Sequence, residues 1–364
     1  MMAPTQVLQW QVRRLGVVME PDPAEPRETE GTLNPAVARG PDGHLYVLPR
    51  LVAAGNYSRI GLARVVFDQN GDPCGIERMG VAMEPREPYE INPWTGGGVE
   101  DPRVTYLPAQ RQYVMTYTAY GPDGPRIATA TSPDLLRWQR TGLVRFTPYD
   151  GLDLETQHNK DAALFPEPVA APDGRLAWAL LHRPTFRTPA VALGLAPRTV
   201  RAVHGRPSIW ISYAPLDDLA RGQAAVFGQH HVLAAPRRMW EGLKVGAGTP
   251  PVRVAGGWLI FYHGVSGRIE EGIDQQQHVR YSAGALLLDE RDPRHVVYRS
   301  TRSLLSPQTP LERMGIVPRV VFPTGVDTRS RTALDLYYGM ADSRIGVARV
   351  SWAGLAATAL RRVA

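Results

Sequence analysis

The stretch "YSRIGLARV" at residues 57–65 returns almost letter for letter as "SRIGVARV" at residues 343–350, near the other end of a 364-residue chain. More diverged versions stand between them: "PRIATATS" (125–132), "SIWISYAP" (208–215) and "YSAGALLL" (281–288). Each follows an apolar, aromatic run: "HLYVLPRL" (44–51), "QYVMTYTAY" (112–120), "RLAWALLHRP" (175–184), "GWLIFYHGV" (257–265) and "LDLYYGMAD" (334–342). A fixed order recurring five times is the mark of a repeat architecture. Tyr117, Trp178, Trp258 and Tyr337, inside these runs, read as core between repeats.

Each unit is led by a segment in which a proline or its substitute precedes an apolar residue: "NPAV" from Asn34, "DPRV" from Asp101, "KDAA" from Lys160, "TPPV" from Thr249 and "VPRV" from Val317. The 35 glycines and 33 prolines punctuate β-branched and aromatic runs, which favours short strands over long helices. The pattern predicts an all-β chain, a single five-bladed β-propeller over residues 1–364, with "QVLQWQVRRL" (6–15) supplying an outer strand of the last blade. Two stacked β-sandwich domains are the alternative.

Composition excludes several classes of function. The one cysteine, Cys74, rules out an internal disulfide framework and a cysteine-based zinc cluster. The net charge of +6 is spread over single arginines among the strands, so no nucleic-acid partner is expected. No apolar run approaches the ~18 residues of a membrane span, and the N-terminal residues contain no signal-peptide core, so a cytoplasmic location is expected. His158 of "HNKD" and His263 of "YHG" come from different units without completing ligands, and no metal is expected. The oligomeric state is left open.

In a propeller the unit starts converge on the central axis. Aligning them gives a ring of Asn34, Asp101, Lys160, Thr249 and Val317, in which Asp101 of "GGGVEDPRVTYL" (96–107) is the only acid. The second strands return to the same face with Arg50, Thr118, His182 with Arg183, His263, and Gly339 to Asp342. Inverting hydrolysis needs a carboxylic acid and a second carboxylate to activate water. A lone acid facing Lys160, Arg183 and His263 suits instead an already ionised oxyanion such as phosphate as nucleophile. Trp94, in the loop before the acid, could stack on a sugar ring.

The words "LNPAV", "NYSRIGLA", "GGVEDPRV", "NKDAALFPE", "LLHRP", "KVGAGTPPV", "YSAGALLLDERDP", "GIVPRVVFP" and "YYGMADSRIGVA" occur in this order along nearly the whole chain. Together they resemble glycoside hydrolase family 130, the inverting β-mannoside phosphorylases. The resemblance implies phosphorolysis of β-mannosides to α-mannose 1-phosphate and a shortened sugar, without a cofactor beyond inorganic phosphate as co-substrate. It implies Asp101 as the general acid, working through a mannose hydroxyl that relays the proton. It adds Arg126 to Lys160, Arg183 and His263 as phosphate ligands. It implies mannose contacts from Asn56, Ser58, Arg59, Asp161, Tyr281 and Asp342, beside Asn34 and Arg50 of the ring and mouth. Two departures, Pro49 where tyrosine is more usual and Met340 where a small residue is expected, imply altered pocket lining. The loops 186–207 and 266–280 are expected to select the acceptor. The alternatives are a β-mannosidase using Glu241 of "MWEGLKVG" as base, or a non-catalytic glycan-binding propeller.

Overall fold

The computed structural model describes residues 8–94, 96–186, 203, 205–217, 225–270 and 276–354. The expected acceptor loop 186–207 therefore lies mostly outside the described residues, as do 271–275 of the second. Among the described residues strands dominate, with short single turns of helix between several of them. They fall into successive antiparallel sets. The first is Gly31–Arg39, Leu45–Ala53, Tyr57–Phe67 and Pro73–Met83. The second is Gly97–Leu107, Gln112–Gly121, Gly124–Ser132 and Gln139–Leu143. The third is built on His158–Leu164, Leu176–Thr185, Ile209–Ala214 and Val226–Ala234, and the fourth on Lys244–Ala247, Gly257–Gly267, Val279–Asp289 and Val296–Arg299. In the fifth, Val321–Ser330, Ala333–Met340 and Arg344–Ala353 are completed by the N-terminal strand Gln9–Met19.

Apolar side chains fill the space between consecutive sets. Met115 and Tyr117 meet Leu48 and Ile60, Trp178 and Trp210 meet Val114 and Ile127, and Trp258 and Ile260 meet Ala163 and Ile211. Leu259 and Phe261 meet Leu334 and Trp352, and Tyr337 and Val347 of the fifth set pack on Val37 and Val47 of the first. Inner strands are therefore buried on both faces, Gly257–Gly267 through its first nine residues, whereas the outer strand Gln9–Met19 alternates between covered and exposed positions. The first two sets are also joined directly, because Tyr57 and Ser58 pair in parallel with Gly97 and Gly98. A Cβ on Gly98 would overlap the Ser58 carbonyl, which explains the glycine run before Asp101.

The first strands of the first three sets share one irregularity. Their ladders skip two residues between Leu33 and Ala36, Glu100 and Arg103, and Lys160 and Ala163. The first skipped residue is left-handed each time: Asn34 at φ 44°, Asp101 at 48° and Asp161 at 57°. Asn and Asp are the side-chain-bearing residues that tolerate this region best. The structure therefore corrects the sequence alignment by one position in the third set. Asp161, not Lys160, is the counterpart of Asp101, so Asp101 is not the only acid of the ring. Lys160 is the counterpart of Glu100, and "KDAA" carries no proline to mark the bulge.

A second repeated feature ties the sets internally. The short lead-in helices Pro26–Glu28, Pro88–Glu90, Met239–Glu241 and Pro310–Arg313 each bury a glutamate. Glu90 takes Arg140 at 2.8 Å and the Tyr117 hydroxyl at 2.7 Å, Glu241 takes Arg299 at 2.7 Å and Tyr262 at 2.9 Å, and Glu312 takes Arg14 at 2.8 Å and Tyr338 at 3.0 Å. Each arginine comes from the outermost strand of its set and each tyrosine from the second strand. Glu28 has its arginine, Arg78, at 2.8 Å, but Pro49 stands at the tyrosine position and lines a cavity of about 150 Å³ with Glu28, Arg78, Gly61 and Gly80. Removing one partner of such a buried pair leaves an uncompensated charge or polar group. Glu312→Gln should lower the unfolding free energy by about 3 kcal/mol in chemical denaturation, and a loss below about 1 kcal/mol would show that this tie does not hold the last set together.

Candidate active site

The bulges aim Asn34, Asp101 and Asp161 into one cavity of about 410 Å³, where they meet Arg50, Lys160, Arg183, His263, Tyr281 and Asp342. A smaller cavity of about 180 Å³ adjoins it, lined by Glu30, Leu33, Val52, Asn56, Glu100, Ile316 and Val317, and shares Arg50, Tyr120, Lys160 and Asp342 with the larger. Asp342 is carried over both by the tight turn after Ala333–Met340, where Ala341 and Asp342 are left-handed. The loop residue Asn56, also left-handed, is held by Glu30, whose carboxylate accepts the amides of Gly55 and Asn56 at 2.8 and 3.0 Å.

Arg50 organises the junction. It donates to Asp101 at 3.3 Å, Glu100 at 2.9 Å, Asn56 at 3.3 Å and Ser58 at 2.9 Å. Glu100 also receives Lys160 at 3.0 Å, and Asn34 donates to Asp101 at 2.8 Å. Beneath Asp101 the buried guanidinium of Arg103 is held by the carbonyls of Gly248, Asp101 and Pro102. Burial pushes the Asp101 carboxyl up, but the fields of Arg50, Lys160 and Arg103 and the Asn34 hydrogen bond outweigh it, and Asp101 titrates below its ordinary range. Asp342 goes the other way: burial, reinforced by Asp101, outweighs Arg50 and raises it to about 7.

On the far side Asp161 receives Arg183, and His263 Nε2 lies 3.5 Å from the same carboxylate. Burial, with Arg183 and Lys244 nearby, lowers His263 to about 3 against the pull of Asp161. His263 is therefore a neutral imidazole, a hydrogen-bonding group and not a charge. Its ring stacks on Phe322 at 4.3 Å, and neither nitrogen has a hydrogen-bond partner among the described residues.

Several sequence expectations change. Ser58 is fully buried and serves Arg50 without lining either cavity. Arg59 and Arg126 line neither cavity. Arg59 pairs with Glu84, while Arg126 stands opposite Ala119, one residue out of step with the cavity-lining pair Tyr120 and Pro125, so strand alternation turns it to the other face. His182 is fully buried away from the cavity, and so is Thr249. Glu241 is locked by Arg299, Tyr262 and the amides of Arg237 and Arg238, far from the role of a base that activates water. Pro49 and Met340 line neither cavity of the site, Met340 packing instead with Tyr338 and Ala348. Trp94 is 73% exposed in its loop and is not among the lining residues.

Sequence reasoning missed Lys244, which lines the larger cavity and makes no ion pair among the described residues, its ammonium lying 5.3 Å over the Tyr281 ring. It sits in "KVGAG", ahead of the unit start at Thr249. It also missed Tyr120, and Glu100, which fixes both Arg50 and Lys160. Among the described residues no cluster of His, Cys, Asp and Glu has the arrangement of a metal site, and no helix is long and apolar enough to cross a membrane.

The glycoside hydrolase 130 family model, described as beta-1,4-mannooligosaccharide phosphorylase, matches residues 10–355. The chain is 32% identical over 254 residues to a 1,2-beta-oligomannan phosphorylase of Thermoanaerobacter sp. (strain X514), covering 69% of this chain and 67% of that protein. It is 28% identical over 286 residues to a beta-1,4-mannooligosaccharide phosphorylase of Ruminococcus albus, covering 78% and 69%. The solved structure of a beta-1,2-mannobiose phosphorylase from Listeria innocua superposes with a TM-score of 0.69 at 22% identity, over 93% of this chain and 96% of that one, a likeness of fold.

The raised Asp342 carboxyl has a measurable consequence. Between the ordinary carboxylate range and about 7 the unfolded chain releases a proton that the folded protein keeps, so this group makes stability fall as pH rises through that window. Asp342→Asn removes the loss, so its melting temperature should gain on the wild type's between about pH 4 and pH 8. An equal gap at both ends would show that Asp342 titrates normally.

Proposed function

The chain belongs to glycoside hydrolase family 130, and from that premise we propose that it is an inverting phosphorylase that transfers a mannosyl unit from a β-mannoside to inorganic phosphate, giving α-mannose 1-phosphate and a shortened sugar. The observation that carries the reading is the larger cavity, where Asp101 shares one space with Lys160, Arg183, Lys244 and the unpartnered imidazole of His263. Arg183 lines the cavity and engages Asp161 through Nε, which leaves its terminal nitrogens as donors for an oxyanion. Lys244 supplies an unpaired charge and His263 a neutral hydrogen-bond donor. The relatives named for β-1,2-linked substrates make β-1,2-mannosides the first substrates to test.

The transferred mannosyl unit occupies the smaller cavity, where Asn56, Glu30, Glu100 and Asp342 offer acceptors and donors beside the apolar wall of Leu33, Val52, Ile316 and Val317. A phosphate oxygen attacks the anomeric carbon as its bond to the leaving oxygen breaks, and that oxygen takes the Asp101 proton through a mannose hydroxyl. Arg50, Lys160 and Arg103 hold Asp101 ionised. Bound phosphate cancels part of their field, so it raises Asp101 towards the protonated form the reaction needs. The whole chain acts as one five-bladed propeller domain in this reading, supported by the apolar cores between consecutive sets and by the packing of the fifth set on the first.

Incubation with β-1,2-mannobiose should release mannose 1-phosphate only when phosphate is present; equal cleavage in phosphate-free buffer would overturn the reading. Asp101→Asn should lower kcat by about 10²- to 10⁴-fold, the usual contribution of a positioned acid. Lys160→Met and Arg183→Lys should each raise the KM for phosphate by about tenfold or more, with a smaller change in the KM for the mannoside.

A further inference from the structure

Among the described residues the third set has no counterpart of the buried glutamate, arginine and tyrosine that tie its neighbours. Its lead-in helix Leu154–Thr156 buries no carboxylate, and the second-strand position held by Tyr117 in the second set is held here by His182. The strand ladders fix this equivalence: Thr118 faces Glu100, Arg183 faces Lys160, and Tyr117 and His182 are the residues just before. In place of the ion pair runs a chain of neutral groups. Asn159 Nδ2 lies 3.0 Å from His182 Nδ1, His182 Nε2 lies 2.7 Å from Ser212 Oγ, Ser212 Oγ lies 2.7 Å from His230 Nδ1, and His230 Nε2 lies 2.9 Å from the Thr147 carbonyl.

The carbonyl fixes the direction of the whole chain. It can only accept, so His230 carries its proton on Nε2 and accepts on Nδ1. Ser212 therefore donates to His230 and accepts from His182 Nε2–H, which leaves His182 Nδ1 to accept from the Asn159 amide. Every bond is satisfied by two neutral imidazoles, and their walls are apolar: Phe146 lies 4.8 Å from His182, and Tyr149 lies 5.6 Å from His230. Burial lowers both histidines, which agrees with the neutral assignment.

The chain grips the site from behind. Asn159 immediately precedes Lys160 and Asp161 at the bulge, and His182 immediately precedes Arg183 on the facing strand. We propose that the Asn159–His182–Ser212–His230 chain is a positioning device that holds this strand pair in the register presenting Lys160 and Arg183 to phosphate, a tie that brings no charge of its own. The inference rests on the reading of Lys160 and Arg183 as phosphate ligands.

The test is steady-state kinetics with phosphate and mannoside varied separately, together with melting temperatures. Ser212→Ala should raise the KM for phosphate by about tenfold while the KM for the mannoside stays within about twofold, and Ser212→Thr, which restores the hydroxyl, should return it towards wild type. Glu90→Gln, which breaks the corresponding tie of the second set, should lower the melting temperature without this split. If Ser212→Ala does not fold, His230→Asn, which keeps an acceptor for Ser212 and loses the Thr147 bond, carries the same test. An unchanged phosphate KM, a parallel rise in both KM values, or the same split in Glu90→Gln would overturn the proposal. If Lys160→Met and Arg183→Lys raise the phosphate KM while the Ser212 and His230 variants do not, the positioning role alone fails. If none of them does, the phosphate site itself is misplaced.

Discussion

An antiparallel ladder that must absorb an extra residue puts that residue outside the pairing and often outside ordinary backbone angles. Here this happens at the same place in three neighbouring sets, and the residues that accept the left-handed conformation most readily, Asn34, Asp101 and Asp161, are also polar groups fit for a reaction centre. Backbone geometry and chemistry thus select the same residue types. The side chains leave the ladder at one end of the sheets and meet in a common cavity. Arg50, Glu100 and Lys160 follow from it, because they flank the bulges or stand across from them, and their mutual ion pairs fix the field in which Asp101 titrates.

The buried glutamate clusters serve a different purpose. Ion pairs of this kind add little stability relative to apolar packing, and their value lies in the cost of mispairing. Each connects a lead-in segment to the second and outermost strands of its own set, so a slipped strand strands a charge in the core. The third set, which carries two of the cationic groups of the larger cavity, achieves the same closure with imidazoles and a hydroxyl. The first set shows what happens when one member is missing: Pro49 leaves empty volume beside Glu28 and Arg78.

Much of this was legible in the sequence. The recurring strand words marked the sets, and proline after Asn34 and Asp101 marked two of the bulges. The third unit start aligns one residue early, on Lys160, because alanine follows Asp161, and in a strand a slip of one residue reverses the face on which every side chain lies. The same alternation explains why Arg126 and Arg59, neighbours of lining residues, turn away from the site. Lys244 escaped notice because it opens the first strand of the fourth set, ahead of Thr249, where the sequence pattern starts that unit. The neutrality of His263 and the raised titration of Asp342 were out of reach, since both depend on how completely the folded chain excludes water around them. Glutamates 28, 90, 241 and 312 each end a short lead-in word, "PRE", "PYE", "MWE" and "PLE", a signal that becomes readable once the role of the buried carboxylate is known.

The completion of the fifth set by Gln9–Met19 governs the order in which the molecule can be assembled. Arg14 and its partner Glu312 are 298 positions apart, so the strand made early waits for a sheet whose other members are made late. Contacts of such long sequence separation require the chain to surrender most of its freedom before they form, which places them among the slow events of folding. Until that strand docks, the outer pairing edge of Arg344–Ala353 is open and the carboxylate of Glu312 lacks Arg14, its cationic partner. Completion of the fifth set acts as a checkpoint: Arg344–Ala353 stays an open, pairing-competent edge until Gln9–Met19 arrives to cover it.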